Sequence, residues 1–356
     1  IAIYKPVINL VLRRPKPILL AGLLVTVIGV WPVTQLGGEF MPTLDEGDLL
    51  YMPSAFPGIS IGQAGEILQQ TDKLIKTVPE VESVFGKVGR ADTATDPAPL
   101  TMIETTVRLK PRDQWREGMT LEGLKRELNS IVKVPSMANT WDPPIKIRTD
   151  MLSTGIKTPI GIKVAGPDLN VIQDIGKQIE QVMNKIPGTS SVYAERVAGG
   201  RYVTVDIDRV ASARLGLNIM DIQDVISTAV GGLNVTQSVE GLERYPVNVR
   251  YPQGVRNSLE KIRNLPLVTP MGAHVPLSQV ASIEIESGPA MIKSENARLN
   301  GWIYVSIQDR DIASYVNEAQ LAVAEGVSLP AGYSIAWSGQ YEYLERAWKK
   351  LAVVCP

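Results

Sequence analysis

Residues 18–37 read ILLAGLLVTVIGVWPVTQLG, a run of 20 residues without a charged side chain, and Lys5, Arg13, Arg14 and Lys16 crowd the segment just ahead of it. A helix of that length reaches across a hydrocarbon layer of about 30 Å. Lys and Arg are retained on the cytoplasmic side of a spanning helix, so the basic cluster sets the direction. The run therefore predicts one transmembrane helix with the residues after Gly37 on the far side of the membrane. A cleaved signal peptide has a shorter apolar part, about 7–15 residues, ending at a small-residue site. Here the run continues into Glu39, Phe40, Met41 and Pro42. Pro32 lies near the outer end, where a kink is tolerated.

Composition narrows what the rest can do. A chain of 356 residues has room for two or three domains. The net charge of −1 gives no electrostatic case for nucleic acid. One cysteine, Cys355, excludes an internal disulfide framework and a cysteine-based zinc site, and one histidine, His274, excludes most histidine-rich sites. A metal would have to be held by thioether and oxygen ligands. The ten methionines favour soft ions such as Cu(I). The chain opens without Met, and an apolar run begins near Leu351; both read as a fragment of a longer membrane protein with a second span starting there.

Along the chain, period and punctuation predict an α+β fold. Residues 48–52 form a strand, 59–78 an amphipathic helix stopped by Pro79, 80–89 a strand, 91–99 a polar loop and 101–110 an alternating strand. A helix follows over 121–132 with Thr120 as N-cap. This order is that of the split βαβ, or ferredoxin-like, unit. It then repeats: a strand at 160–165, a helix at 169–186, strands at 190–196 and 202–207, and a helix at 219–229. PEVESV (79–84) and PGTSSV (187–192) join helix to strand in the same manner. Residues 230–251, with a Gly pair and a Pro-broken strand, read as an inserted β-rich module, continued by short strands at 265–268, 275–277 and 281–287. Segments 294–306, 315–326 and 333–338 restore a strand, a helix and a strand.

Several blocks then resemble one family: GGEFMPTLDEGDLLYMPSAFPGIS (37–60), RADTATDPAPLTMIETTVRLKPRDQW (90–115), IRTDMLSTGIKTPIGIKV (147–164), TAVGG (228–232), VEGLERYPVNVRYPQ (239–253), ENARLNGWIYV (295–305) and SGQYEYLERA (338–347). In order and spacing they resemble the heavy-metal efflux branch of the resistance-nodulation-division (RND) pumps, and within it the copper/silver transporters. The resemblance covers essentially the whole chain. It implies a proton-driven antiporter of the bacterial inner membrane, multi-pass and homotrimeric, with a periplasmic adaptor (a membrane fusion protein) and an outer-membrane channel as partners. It implies no cofactor; Cu(I) or Ag(I) is the transported ion. Residues 1–37 would be a cytoplasmic lead-in and transmembrane helix set in membrane lipid, and the bulk of the chain would be periplasmic. Residues 45–158 would form a first porter subdomain, 159–200 with 296–345 a second, 201–295 a docking module, and 346–356 the start of the next transmembrane helix.

The resemblance also implies the site. Its copper/silver members use three methionines that correspond to Met52, Met102 and Met151, separated by 50 and 49 residues. Read from the sequence, Met52 ends a strand, Met102 begins one and Met151 follows one, all positions at sheet rims and loops, where function concentrates. Three thioethers are a soft, neutral set suited to a d¹⁰ monovalent ion and poorly suited to Zn(II). Taken singly, a methionine fills a core, and spacing alone does not pick these three. Asp96, Glu104, Arg148 and Lys157 match charged positions flanking the site in the family. A carboxylate there would draw in the cation, and a nearby Arg or Lys would hold the carboxylate or weaken binding for release; ordinary surface charge is the alternative. Asp45, Glu46 and Asp48 read as loop and cap residues. The competing functions are efflux of divalent Zn, Co or Cd through carboxylates, and a non-transporting assembly subunit. No nucleophile–base pair or phosphate loop supports an enzyme.

Overall fold

The computed structural model describes residue 8 and residues 11–35, 37–38, 45–89, 98–135 and 137–354. The apolar run forms helix α1, Pro15–Gln35. Leu19, Leu20, Leu23, Leu24, Val25, Val27, Ile28 and Trp31 are all exposed on it. Among the described residues no helix is long and apolar enough to cross a membrane. The helix takes Lys16 and two prolines into its first turn and stops at Gln35, and the side chains at 30 and 32–35 lie outside the described set. The chain leaving α1 is held at Gly38, whose N–H donates to the Asp311 carboxylate at 3.1 Å.

Residues 49–52 alternate between two interiors. In strand β1, Asp48–Tyr51, Leu49 and Tyr51 point one way and Leu50 and the following Met52 the other. The first face is covered by helix α2, Ile61–Lys76, which Ser60 caps by accepting from the Gln63 N–H. Strand β2, Val81–Lys87, pairs antiparallel with β3, Glu104–Leu109, and β3 with β1. Helix α3, Leu121–Ile131, starts at the expected cap Thr120. The two-residue strand β4, Trp141–Asp142, then adds to the free edge of β1. The sheet order β2-β3-β1-β4 is that of the split βαβ unit. Ile75, Val107, Leu124 and Leu128 close its main core with Leu49 and Tyr51. The expected polar loop at 91–99 lies outside the described residues up to Pro97.

The second face of β1 receives helix α4, Pro144–Thr154. The sequence reading has no helix here, because Ile145, Ile147, Met151 and Leu152 do not repeat at a clean period. Local punctuation makes it: Pro144 sits in the first turn, where a missing N–H costs nothing, and Gly155 ends it in the left-handed region at φ 77°.

The same strand order recurs next. Strand β5, Ile160–Gly166, helix α5, Leu169–Met183, and strand β6, Thr189–Ala194, start a second antiparallel sheet. The expectation that residues 202–207 and the helix at 219–229 continue this repeat is corrected. Strand β7, Gly200–Ile207, pairs along its whole length with a later strand, Ala281–Gly288, in a separate unit spanning 198–291. Alternation reveals a strand and not its partner, so a repeat read from local pattern does not extend to a non-local pairing.

That unit has its own core of Leu217, Ile222, Ile262, Leu265, Leu267, Leu277, Val280 and Ile283. Helices α6, Arg209–Arg214, and α7, Ile219–Ile226, lead into a hairpin of β8, Leu233–Glu240, and β9, Glu243–Val249, exposed along both strands. Short helices α8, Gln253–Arg256, and α9, Leu259–Arg263, precede strands β10, Pro266–Val268, β11, His274–Pro276, and β12, Ala281–Gly288.

The chain returns to the second sheet as strand β13, Lys293–Glu295, and turns at Asn296 and Ala297, both at positive φ, into β14, Arg298–Ile307. Strand β14 pairs with β5 on one side and β6 on the other. Helix α10, Ile312–Gly326, and strand β15, Ser334–Gly339, complete the sheet, with β15 on the outer side of β5. Ile162, Val164, Ile175, Ile179, Ile303, Val305, Tyr315 and Val316 fill its core. Helix α11, Gln340–Val354, follows directly; it carries Glu342, Glu345, Arg346, Lys349 and Lys350, and Cys355 and Pro356 lie outside the described residues.

Candidate metal site

Three side chains that are far apart in sequence meet on the second face of β1. Met52 is 1% exposed and packs with buried Leu50 and Ile147, and the partly buried Met102 and Met151 pack against that trio. Each comes from a different element. Met52 directly follows β1, and its N–H donates to the Thr140 carbonyl at 3.0 Å. Met102 lies just before β3 in a bridge with Ser54, as expected of a residue at a strand start. Met151 does not follow a strand; it is on α4, one turn after Ile147, so both project from one helix face. The cluster is separate from the main cores of both sheets.

The charged residues around the cluster act as ties. Glu104, 6% exposed, is paired with Arg148 of α4 and with Lys87 at 3.4 Å. The expected cation-attracting carboxylate is therefore already neutralised by two cations, and the pair joins the strand after Met102 to the helix of Met151. Lys157 is buried, and its ammonium donates to the Met52 carbonyl at 2.9 Å. It also lies 5.5 Å from the centre of the Tyr304 ring. Burial pushes the Lys157 ammonium down to about 7; nearby Glu195 opposes this and Lys293 adds to it. Asp96 lies outside the described residues. Glu46 is a cap, as its sequence context indicates. Its carboxylate accepts from the Ile145 N–H at 2.8 Å and the Lys146 N–H at 3.2 Å, the free donors at the start of α4. Asp45 pairs with Arg112.

Leu50 and Ile147 are absent from the sequence prediction, although both carry a signal: Leu50 is two residues from Met52 in an alternating strand, and Ile147 four from Met151. Chemically the arrangement offers soft, uncharged sulfur in an apolar setting. Among the described residues no group of three or more His, Cys, Asp or Glu side chains could hold a metal ion.

The fold matches that of solved heavy-metal efflux pumps, and comparison of the sequence with known proteins gives the family. The chain belongs to the AcrB/AcrD/AcrF family, whose family model matches residues 1–356. It is 51% identical over 356 residues to the cation efflux system protein CusA of Escherichia coli (strain K12), covering 100% of this chain and 34% of that protein. To the putative cation efflux system protein SilA of Salmonella typhimurium it is 52% identical over 353 residues, covering 99% of this chain and 34% of that protein. A solved X-ray crystal structure of a heavy metal efflux pump superposes with a TM-score of 0.87 at 31% identity, over 94% of this chain and 35% of that one. The chain thus spans about a third of the length of the curated relatives it matches. The family is one of RND efflux transporters and not of enzymes.

Proposed function

We propose that this chain forms the ion-handling part of a CusA- and SilA-like RND pump that expels Cu(I) or Ag(I), with Met52, Met102 and Met151 as the ligands. The observation that carries the reading is the convergence of three thioethers from three elements on one small cluster. Sulfur ligands select soft monovalent ions, and neutral ligands bind without releasing protons. Met52 is buried while Met102 and Met151 are only partly buried, so an ion would reach the cluster past the latter two. In the same reading, the two split-βαβ sheets are the porter subdomains and the unit at 198–291 is a docking module. The pump is proton-driven, homotrimeric and set in the inner membrane with the sheets on the periplasmic side, joined to a periplasmic adaptor and an outer-membrane channel. The apolar side chains exposed along α1 support a lipid or helical environment for that helix.

Calorimetry of the chain with Ag⁺ and Zn²⁺ tests the reading. Ag⁺ should bind and Zn²⁺ should not, and Met52→Ile, Met102→Ile and Met151→Ile should each weaken Ag⁺ binding while preserving side-chain volume. A preference for Zn²⁺ would favour divalent-ion efflux. Unchanged Ag⁺ affinity in all three variants would leave the cluster as ordinary packing.

A further inference from the structure

Met151 can serve a three-sulfur site only if α4 holds it at the right distance from Met52 and Met102. Both of those are carried by the first sheet. Helix α4 is tied to that sheet through Glu46 at its first turn and through the Arg148–Glu104 pair. A further tie comes from elsewhere. Asp150, the residue before Met151, is 2% exposed, and its carboxylate accepts from the Gln340 side-chain amide at 2.9 Å. Its other partner is Lys146 at 3.4 Å, which also reaches Asp142 at 3.5 Å.

Gln340 is itself fixed. It is 3% exposed and is the first residue of α11, and its N–H donates to the Pro159 carbonyl at 2.9 Å. The corner before it is tight: Gly339 has φ 81°, and a side chain there would come within 2.7 Å of the Pro159 oxygen. The amide of Gln340 is thus aimed at Asp150 by the junction between β15 and α11. A buried carboxylate that loses a partner bears a desolvation cost, so α4 follows that junction and does not drift from it.

We infer that Gln340, acting through Asp150, is a positioning residue for Met151, so that the placement of α11 sets the third thioether of the cluster. This rests on the reading of the cluster as a Cu(I)/Ag(I) site.

The test uses the whole chain with Ag⁺ as probe and reads both affinity and the number of sulfur neighbours by X-ray absorption. Gln340→Leu should lower Ag⁺ affinity by roughly tenfold or more, as loss of an outer-sphere partner does, and reduce three sulfurs to two. Gln340→Asn keeps an amide but falls short of Asp150, and should give a smaller loss in the same direction. Asp150→Asn, which still presents an oxygen to Gln340, should retain three sulfurs. Combined with Met151→Ile, Gln340→Leu should have no further effect, because the residue it positions is gone. Wild-type affinity and three sulfurs in both Gln340 variants would overturn the inference, as would a full additional loss in the double variant. Failure of the underlying reading looks different: the unsubstituted chain would then show no sulfur-ligated Ag⁺ at all.

Discussion

Lys157 offers a sharp energetic test, because the same side chain that ties down Met52 is costly to bury. Its ammonium is pushed from 10.5 down to about 7, chiefly by burial. In the unfolded chain it stays protonated up to about 10.4. Between these two values the unfolded state binds the extra proton, so stability rises with pH, by about 1.4 kcal/mol per unit. Over the interval the gain is about 5 kcal/mol; below about 7 both states are charged and the full cost is present. Lys157→Met removes this dependence. It also leaves the Met52 carbonyl without its donor, at about 1–3 kcal/mol. The variant should therefore be more stable than the parent chain at pH 7, by about 2–4 kcal/mol, and less stable near pH 10.5. The two stability curves should cross between about pH 8 and pH 10. Urea unfolding across this range, followed by tryptophan fluorescence, measures both curves. Parallel curves, with the variant weaker at every pH, would refute the argument that burial governs this lysine.

Three further outcomes are expected. Glu80 is fully buried and gripped by Arg116 through two hydrogen bonds of 2.7 and 2.8 Å, which hold its carboxyl below the usual 4.5. Its contribution is present above that range and is lost as pH falls through the lowered value. Because Arg116 is half-exposed, Glu80→Gln should cost about 2–3 kcal/mol at pH 7 and progressively less below pH 4 in urea titrations. Gly155→Ala places a side chain 2.5 Å from the Trp302 ring at φ 77° and should cost about 2–4 kcal/mol, measured as a lowered urea midpoint. Glu46→Ala strips the cap from α4; amide exchange at Ile145 and Lys146 should accelerate, with a stability loss of about 0.5–2 kcal/mol.

Much of the fold is written in local pattern. The alternation through residues 101–110, the cap at Thr120 and the stop at Pro79 each led to an element that the structure contains. Two features were not legible in this way. Helix α4 is made by Pro144, by Gly155 and by a carboxylate from Glu46, a residue about 100 positions earlier, and none of these leaves an apolar period. The partner of β7 is β12, and pairing over such a separation depends on a core that assembles only in three dimensions. The three methionines are legible only through family resemblance, since thioethers at intervals of 50 and 49 residues carry no physical signature of their own. The roles of Glu104 and Lys157 needed coordinates: sequence gives their charge, and only their partners reveal that the charge is already engaged.

The two sheets share one body plan and differ in what they admit between their second and third strands. In the second sheet those strands, β6 and β14, are hydrogen-bonded neighbours, which places them about 5 Å apart. A guest segment hung there needs to begin and finish close together, and chain-closure cost grows only slowly with guest length. The unit at 198–291 is inserted in the chain at this connection. In the first sheet the equivalent connection, between β2 and β3, carries Met102. The same connection thus carries a whole folded unit in one sheet and a single thioether in the other, and a different insert there would leave the strand order of the sheet unchanged.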